Sequence, residues 1–429
     1  MRTEKYFLQN CVFVLLLFIS QTVFPAETSQ SSEVLLIDQL VDLVLQNNPR
    51  HFELDAAISE ARALVLPAGS LADPQLSYSI APATIIGNSS NRFRQAIELS
   101  QTIPWPGSLA LRERQATNMA DMAYYHLKDH DLDVIMSIKM AFAEYYYIHH
   151  ALEINKKNLT LLTELKQIIE AQYISGQSKQ QDVLRAELEY GQLNQQSFEL
   201  VQVYASIRAQ INALLNREPQ RSLPPPADLG TLIKPEDTET LQALALENHP
   251  QLLSLKANLD ATKAAIGLAE KNYYPDIKIQ TGYNNMWDDT DMRFMIGAEI
   301  NLPIGQSKRD SQLDAAEAAS MQAHWKLIDQ RSLLLSRVEQ SRLQVTESIQ
   351  NIEIYEQKLL PLARENYAIA IADYRTGTGL FTNVSDAETS LLSIELRLLR
   401  SRADYFRRYA ELDRWIGKSP DNNHRALLP

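Results

Sequence analysis

Met292-Arg293-Phe294-Met295-Ile296-Gly297-Ala298-Glu299-Ile300-Asn301-Leu302 reads as a strand built for two different surroundings. Met292, Phe294, Ile296, Ala298, Ile300 and Leu302 fall on one face, and Arg293, Glu299 and Asn301 on the other. Three more stretches alternate in the same way: Leu76, Tyr78, Ile80; then Phe93, Gln95, Ile97, Leu99; then Ile277, Ile279, Thr281, Tyr283. A period of two over about ten residues suits a tilted strand with lipid on one side and water on the other. The four segments pair into two hairpins, with turns expected near Gly87-Asn88 and near Trp287-Asp288-Asp289. Trp105, Tyr273 and Tyr274 at one end and Trp287 at the other suit aromatic girdles. Amphipathic hairpins packed on a soluble helical domain would alternate equally, so the compartment must be read elsewhere.

The N-terminus supplies that reading. Arg2 and Lys5 precede an apolar run from Val12 to Phe18, and Ala26 is the expected cleavage position, giving a signal peptide over 1–26. The run is too short to span a bilayer as a helix. Cys11, the only cysteine, lies inside that segment, so no disulfide or thiol chemistry is expected in the rest of the chain. A net charge of −12 argues against a nucleic-acid partner. The 13 glycines in 429 residues suit long uninterrupted helices better than a loop-rich enzyme. No phosphate-cradling glycine loop, Gly-x-Ser-x-Gly elbow or zinc-protease helix motif occurs, so neither catalysis nor a cofactor is expected. An exported chain without a spanning helix enters a membrane only as strands of a closed barrel.

The chain is also duplicated. Leu45, Asn47, Pro49, Leu54, Ala56, Ala63 and Pro74 match Leu246, Asn248, Pro250, Leu255, Ala257, Ala264 and Pro275 at an offset of 201. Tyr173, Gly176, Val183, Ala186 and Glu187 match Tyr374, Gly377, Val384, Ala387 and Glu388 at the same offset. In between, the offset drifts, with Pro104 on Pro303 and Gly107 on Gly305. The first repeat spans 27–217, with strands at about 75–86 and 92–103 and helices at 37–66, 108–173 and 178–216. The second spans 237–417, with strands at about 276–286 and 292–303 and helices near 237–272, 306–375 and 381–417. Proline-rich 218–236 links them, and 418–429 is expected to be a disordered tail. Val338, Val345, Ile352 and Leu359 stand seven apart, a coiled-coil seam. A helix of about 65 residues spans about 100 Å, and the two medium helices of each half stacked end to end match it. The fold class is therefore mainly α with a transmembrane β part.

Four strands cannot close a transmembrane barrel, for which about eight is the minimum. Open edges in lipid leave backbone groups unpaired, so other copies of the chain must complete the sheet. Cyclic symmetry allows a dimer of eight strands or a trimer of twelve. A soluble periplasmic coiled-coil scaffold is the rival of another class.

The turn after each long helix carries the most specific pattern: Tyr173-Ile174-Ser175-Gly176 with Gln181 to Glu187, and Tyr374-Arg375-Thr376-Gly377-Thr378-Gly379 with Asn383 to Glu388. On these motifs and the duplicated strand-and-rod order, the chain resembles the TolC family of outer-membrane factors over nearly all its length after the leader. The resemblance implies a homotrimer in outer-membrane lipid, with a twelve-strand barrel and a helical tunnel in the periplasm. It implies a passive exit duct served by a periplasmic adaptor (membrane fusion protein) and an inner-membrane pump of the RND type. Gln101-Thr102-Ile103-Pro104-Trp105-Pro106-Gly107 resembles the branch that exports heavy-metal cations. Drug efflux and type I protein secretion are alternatives within the same fold.

Expected site residues follow. Tyr173, Gly176, Gln177, Tyr374, Gly377, Thr378 and Gly379 form the adaptor-contacting tips. Asp182, Asn383 and Asp386 lie at the periplasmic aperture, where this chain has Asn383 in a place the family can fill with aspartate. Pro104, Trp105, Pro106, Gly107, Pro303 and Gly305 form the strand-to-helix junctions. His126 and His130, four apart with Asp129 and Asp133 beside them, have a spacing that holds a metal from one face, although an exposed helix fits them as well.

Overall fold

The computed structural model describes residues 34–80, 94–285 and 293–418. The signal peptide, Cys11, both hairpin turns, Phe93, Trp287, Met292 and the tail from Ser419 lie outside them. Elements follow in the order α1 Ile37–Asn47, α2 Pro49–Ala63, α3 Val65–Gly69, β1 Gln75–Ile80, β2 Gln95–Ile103, α4 Ser108–Ile174 and α5 Gln180–Leu214. The second half gives α6 Thr238–Asn248, α7 Pro250–Lys271, β3 Ile277–Asn284, β4 Phe294–Ile300, α8 Gln306–Ile354, a π-helical turn Tyr355–Leu359, α9 Leu360–Arg375 and α10 Phe381–Trp415. No helix among the described residues is long and apolar enough to cross a membrane.

Two expectations about the helices need correction. The first medium helix of neither half is continuous: 37–66 breaks at Asn48 and 237–272 at His249. Each break precedes a proline, which lacks the N–H that would continue the ladder and pushes its predecessor into extended backbone. Asn48 and His249 accordingly sit at ψ 116 and 117. The Asn48 side chain then caps α2 by accepting from the Arg50 and His51 amides at 2.9 and 3.3 Å.

The second correction concerns the heptad seam. Val338, Val345 and Ile352 are buried as expected, but the next buried position is Leu360, one residue beyond Leu359. The π turn inserts that residue. Pro361 gives the cause: in a regular helix its ring would meet the carbonyl of Gln357, inside the widened turn.

The four strands form one antiparallel sheet in the order β1-β2-β3-β4. Its register puts Leu76, Leu99 and Thr281 in one cross-strand row with Ile296, and Tyr78, Ile97 and Tyr283 in another with Phe294. One face is thus apolar and open: Leu76, Phe294 and Ile296 are 73%, 80% and 87% exposed. The opposite face carries Ser77, Glu98, Ser100, Gln280 and the ion pair Lys278–Glu299 at 3.3 Å. Among the described residues β1 and β4 each leave one side unpaired.

The cores repeat with the sequence. Leu40, Val44, Ile211 and Leu215 pack in the first half, and Leu241, Ala245, Leu412 and Ile416, each 201 residues on, in the second. Hence α1 and the end of α5 meet beside the middle of α4, and α6 and the end of α10 beside the middle of α8. The proline-rich link crosses at this level. Tyr145 donates to the Pro224 carbonyl at 3.0 Å, and Tyr405 accepts from the Ile233 amide at 2.6 Å.

Candidate functional site

Each tip turn is built by hydrogen bonds before any side chain contributes. The Gln177 amide donates to the Gln172 carbonyl at 2.8 Å and the Gly176 amide to Tyr173 at 3.0 Å. In the second repeat the Thr378 amide donates to Asp373 at 3.0 Å and the Gly377 amide to Tyr374 at 3.1 Å. This is the glycine-terminated helix end in which a left-handed residue satisfies the last carbonyls. Gly176 and Gly377 stand at φ +77 and +78, with open space where a side chain would sit. A side chain there is excluded by backbone conformation, and the surface beyond remains free. Gly379 has a different reason to be small, since a Cβ would lie 2.9 Å from that of Asp373.

The two tips differ in their tyrosines. Tyr173 is exposed, whereas Tyr374 is buried against Phe381 with ring centroids 5.8 Å apart. Tyr374 thus belongs to a small core with Leu162, Leu165, Ile169 and Val384. Gly176, Gln177, Gly377 and Thr378 are exposed at the turns. Asp182 serves its own helix, accepting from the Lys179 amide at 3.2 Å and the Ser178 hydroxyl at 3.1 Å.

At the expected aperture, Asn383 and Asp386 are exposed on the first turns of α10. Arg185 of α5 donates to Asp386 at 2.8 Å and to Ser385 at 3.2 Å. Ser385 in turn donates to Glu189. Arg185 and Asp386 are 201 apart, so equivalent positions of the two repeats carry opposite charges and meet. The pair is too exposed to add much stability, but it ties the two returning helices together beside the tips. Asp386→Ala should therefore remove one of the three partners of Arg185 and loosen this link. Single-channel recordings should show higher conductance or weaker block by multivalent cations, with the melting temperature little changed.

At the other end of the rods, Trp105 stacks on Tyr274 at 4.7 Å, and its amide donates to Asp276 at 3.0 Å. Pro104 and Pro106 flank it, and Gly107, at φ +90, precedes α4. The second junction, with Pro303 and Gly305, is simpler, for Gly305 keeps an ordinary φ of −79.

The acids near His126 and His130 have another role. Arg414, itself buried, donates to Asp133 at 2.5 Å and Asp129 at 2.9 Å, and lies 2.8 Å from Nε2 of His249. Burial raises the Asp129 carboxyl above its ordinary range, and Arg414 offsets only part of that. Burial, and then the Arg414 charge, push His249 down to about 3, so its ring is neutral and accepts the guanidinium proton. Among the described residues no group of three or more His, Cys, Asp or Glu is arranged to hold a metal ion.

Sequence reasoning assigned no role to Arg185, Glu388, Arg414 or His249. The offset that aligned Val183 with Val384 would have paired Arg185 with Asp386. The Arg414 cluster joins three distant segments and left no local signal.

Residues 241–418 match the family model described as "Outer membrane efflux protein". The cobalt-zinc-cadmium resistance protein CzcC of Cupriavidus metallidurans is 23% identical over 57% of this chain and 58% of its own length. Outer membrane protein TolC of Vibrio cholerae is 29% identical over 38% of each chain. The chain thus spans about half the length of these two relatives. The solved outer-membrane channel OprN superposes with a TM-score of 0.77 at 18% identity, covering 89% of this chain and 90% of that one. An open sheet with an outward apolar face, duplicated rods and the efflux-protein match agree: the second repeat of this chain matches the outer membrane efflux protein family and the whole shares the fold of solved outer-membrane channels, with its strands in the outer membrane and its helices in the periplasm.

Proposed function

We propose that three copies close their sheets into one twelve-strand barrel and their rods into a tunnel, forming a passive exit duct. The observation that carries this reading is the half-finished sheet. Its apolar face is exposed, and its two free edges run in opposite directions, so β4 of one copy meets β1 of the next in antiparallel pairing. Head-to-tail contacts of that kind generate rings. Closure satisfies every edge amide that lipid would leave unpaired.

A duct without catalytic groups depends on a partner for energy. An inner-membrane pump of the RND type, reached through a periplasmic adaptor docked on the exposed tips, fits that requirement. Gly176, Gln177, Gly377 and Thr378 are the surface such an adaptor would meet. Metal cations are the proposed cargo, supported by the Gln101–Gly107 junction and by the similarity to the cobalt-zinc-cadmium resistance protein CzcC.

Gly377→Val tests the docking. A β-branched residue at φ +78 strains only the turn, so trimers should remain in the membrane while efflux falls. Undiminished efflux would remove the tip from the docking surface. Loss of the gene should sensitise cells to metal cations, and sensitivity confined to dyes and detergents would reassign the cargo.

A further inference from the structure

Duplication allows each residue at one tip to be compared with its counterpart at the other. In the first repeat Glu187 is exposed and paired to Lys166 at 2.9 Å. The counterparts, 201 residues on, are Glu388 and Tyr367. The carboxyl is retained and its cation is replaced by a phenol. Glu388 is also buried, 7% exposed, and neither carboxyl oxygen has a hydrogen-bond partner among the described residues. An isolated buried carboxylate is costly unless it takes up a proton.

Among the described residues, no cation is paired with it. From α5 come Glu189, which repels it, and Arg185, already engaged by Glu189, Ser385 and Asp386. From α9 come Tyr367 and, acting on that phenol, Arg375, opposed by Glu164 of α4. On α10 itself the nearest charge is Asp386. The surroundings are otherwise apolar, with Phe381 and Val384 of α10 in the tip core beside Leu165 and Ile169.

We infer that Glu388 is a proton-sensitive latch of the second tip: protonated, it lets α9 and α10 pack tightly, and ionised, it loosens them. Burial, and then Glu189, raise its carboxyl to about 7. Between the ordinary carboxylate range and that value the packed tip holds a proton that an opened tip releases. Packing is therefore strongest in acid and weakens as pH rises through about 7. The inference rests on reading the tip as the inner mouth only for its consequence, a mouth tighter in acid than above neutrality.

Amide hydrogen exchange of residues 376–390 in the full-length protein in detergent micelles tests packing directly. Wild type is compared with Glu388→Gln at each pH from 5.5 to 8.5, so that intrinsic exchange cancels. The wild-type rate relative to Glu388→Gln should rise about tenfold or more between pH 5.5 and about 7 and level off above it. Tyr367→Lys, which restores the cation of the first repeat, should flatten that rise and serves alone against wild type if Glu388→Gln does not fold. A ratio independent of pH, or a rise that persists in Tyr367→Lys, overturns the latch. Because exchange reads packing and not transport, its failure is distinct from failure of the duct reading, which the Gly377→Val efflux assay reports.

Discussion

Arg414→Met is expected to destabilise the protein by about 3 kcal/mol or more, read as a fall in melting temperature or in the denaturant midpoint of the detergent-solubilised chain. Arg414 is 7% exposed and joins three segments: α10, the break between α6 and α7, and the middle of α4. Methionine fills much of its volume, so the loss is one of charge and hydrogen bonding. Asp129, already short of solvent, would keep its charge without a partner, and His249 would lose its donor. Asp129→Asn in the same chain should therefore recover part of the loss. Full stability in Arg414→Met alone would show that these contacts hold nothing. The neutral imidazole adds a pH dependence of known sign. His249 binds its proton far more weakly folded than unfolded, so this part of the stability is complete above about 6.5. It declines as pH falls from there toward 3.

Gly417→Ala should produce the second large effect, about 2–4 kcal/mol, because two costs coincide. Gly417 sits at φ +72, and an added Cβ would lie 2.9 Å from the carbonyl carbon and oxygen of Asn248 and 3.0 Å from the His249 amide nitrogen. None of those atoms can swing away, since they form the break between α6 and α7. The first repeat provides the control. Asn216, 201 residues earlier, closes α5 in the same left-handed conformation at φ 52. Asn216 is exposed, so Asn216→Ala should carry the conformational cost alone, about 1 kcal/mol. Thermal melts of both variants, run side by side, check the contrast. Equal effects would mean that conformation alone, and not the contact with Asn248, makes Gly417 necessary.

What could be read from sequence was whatever repeats over short distances or is copied at a fixed offset. Alternation placed Leu76, Ile97, Ile279 and Ile296 on one face because side-chain direction in a strand is fixed locally. Copied glycines located both tip turns, for a left-handed helix end needs one residue and a few hydrogen bonds. Local prolines were visible too, yet apolar periodicity extended the first medium helix of each half across Pro49 and Pro250. Periodicity reports which face is buried and not whether the ladder is intact. The displacement from Leu359 to Leu360 was hidden for a related reason, since a heptad count assumes a constant number of residues per turn. Arg414, His249, Asp129 and Asp133 are brought together only by packing between repeats. Glu388 looked like its copy Glu187, and the difference lies in position 367, where tyrosine has taken the place of lysine.

The widened turn at Tyr355–Leu359 has a consequence for the whole wall. Its counterpart rod, α4, runs from Ser108 to Ile174 without such an interruption. In a ring of these chains, half of the long rods would be seamless and half jointed, with every such joint at a single level. Bending stress on the tube would gather at those joints, where the regular ladder changes its spacing, and spare the seamless rods. Such a wall would be stiff as a whole and compliant at one chosen height.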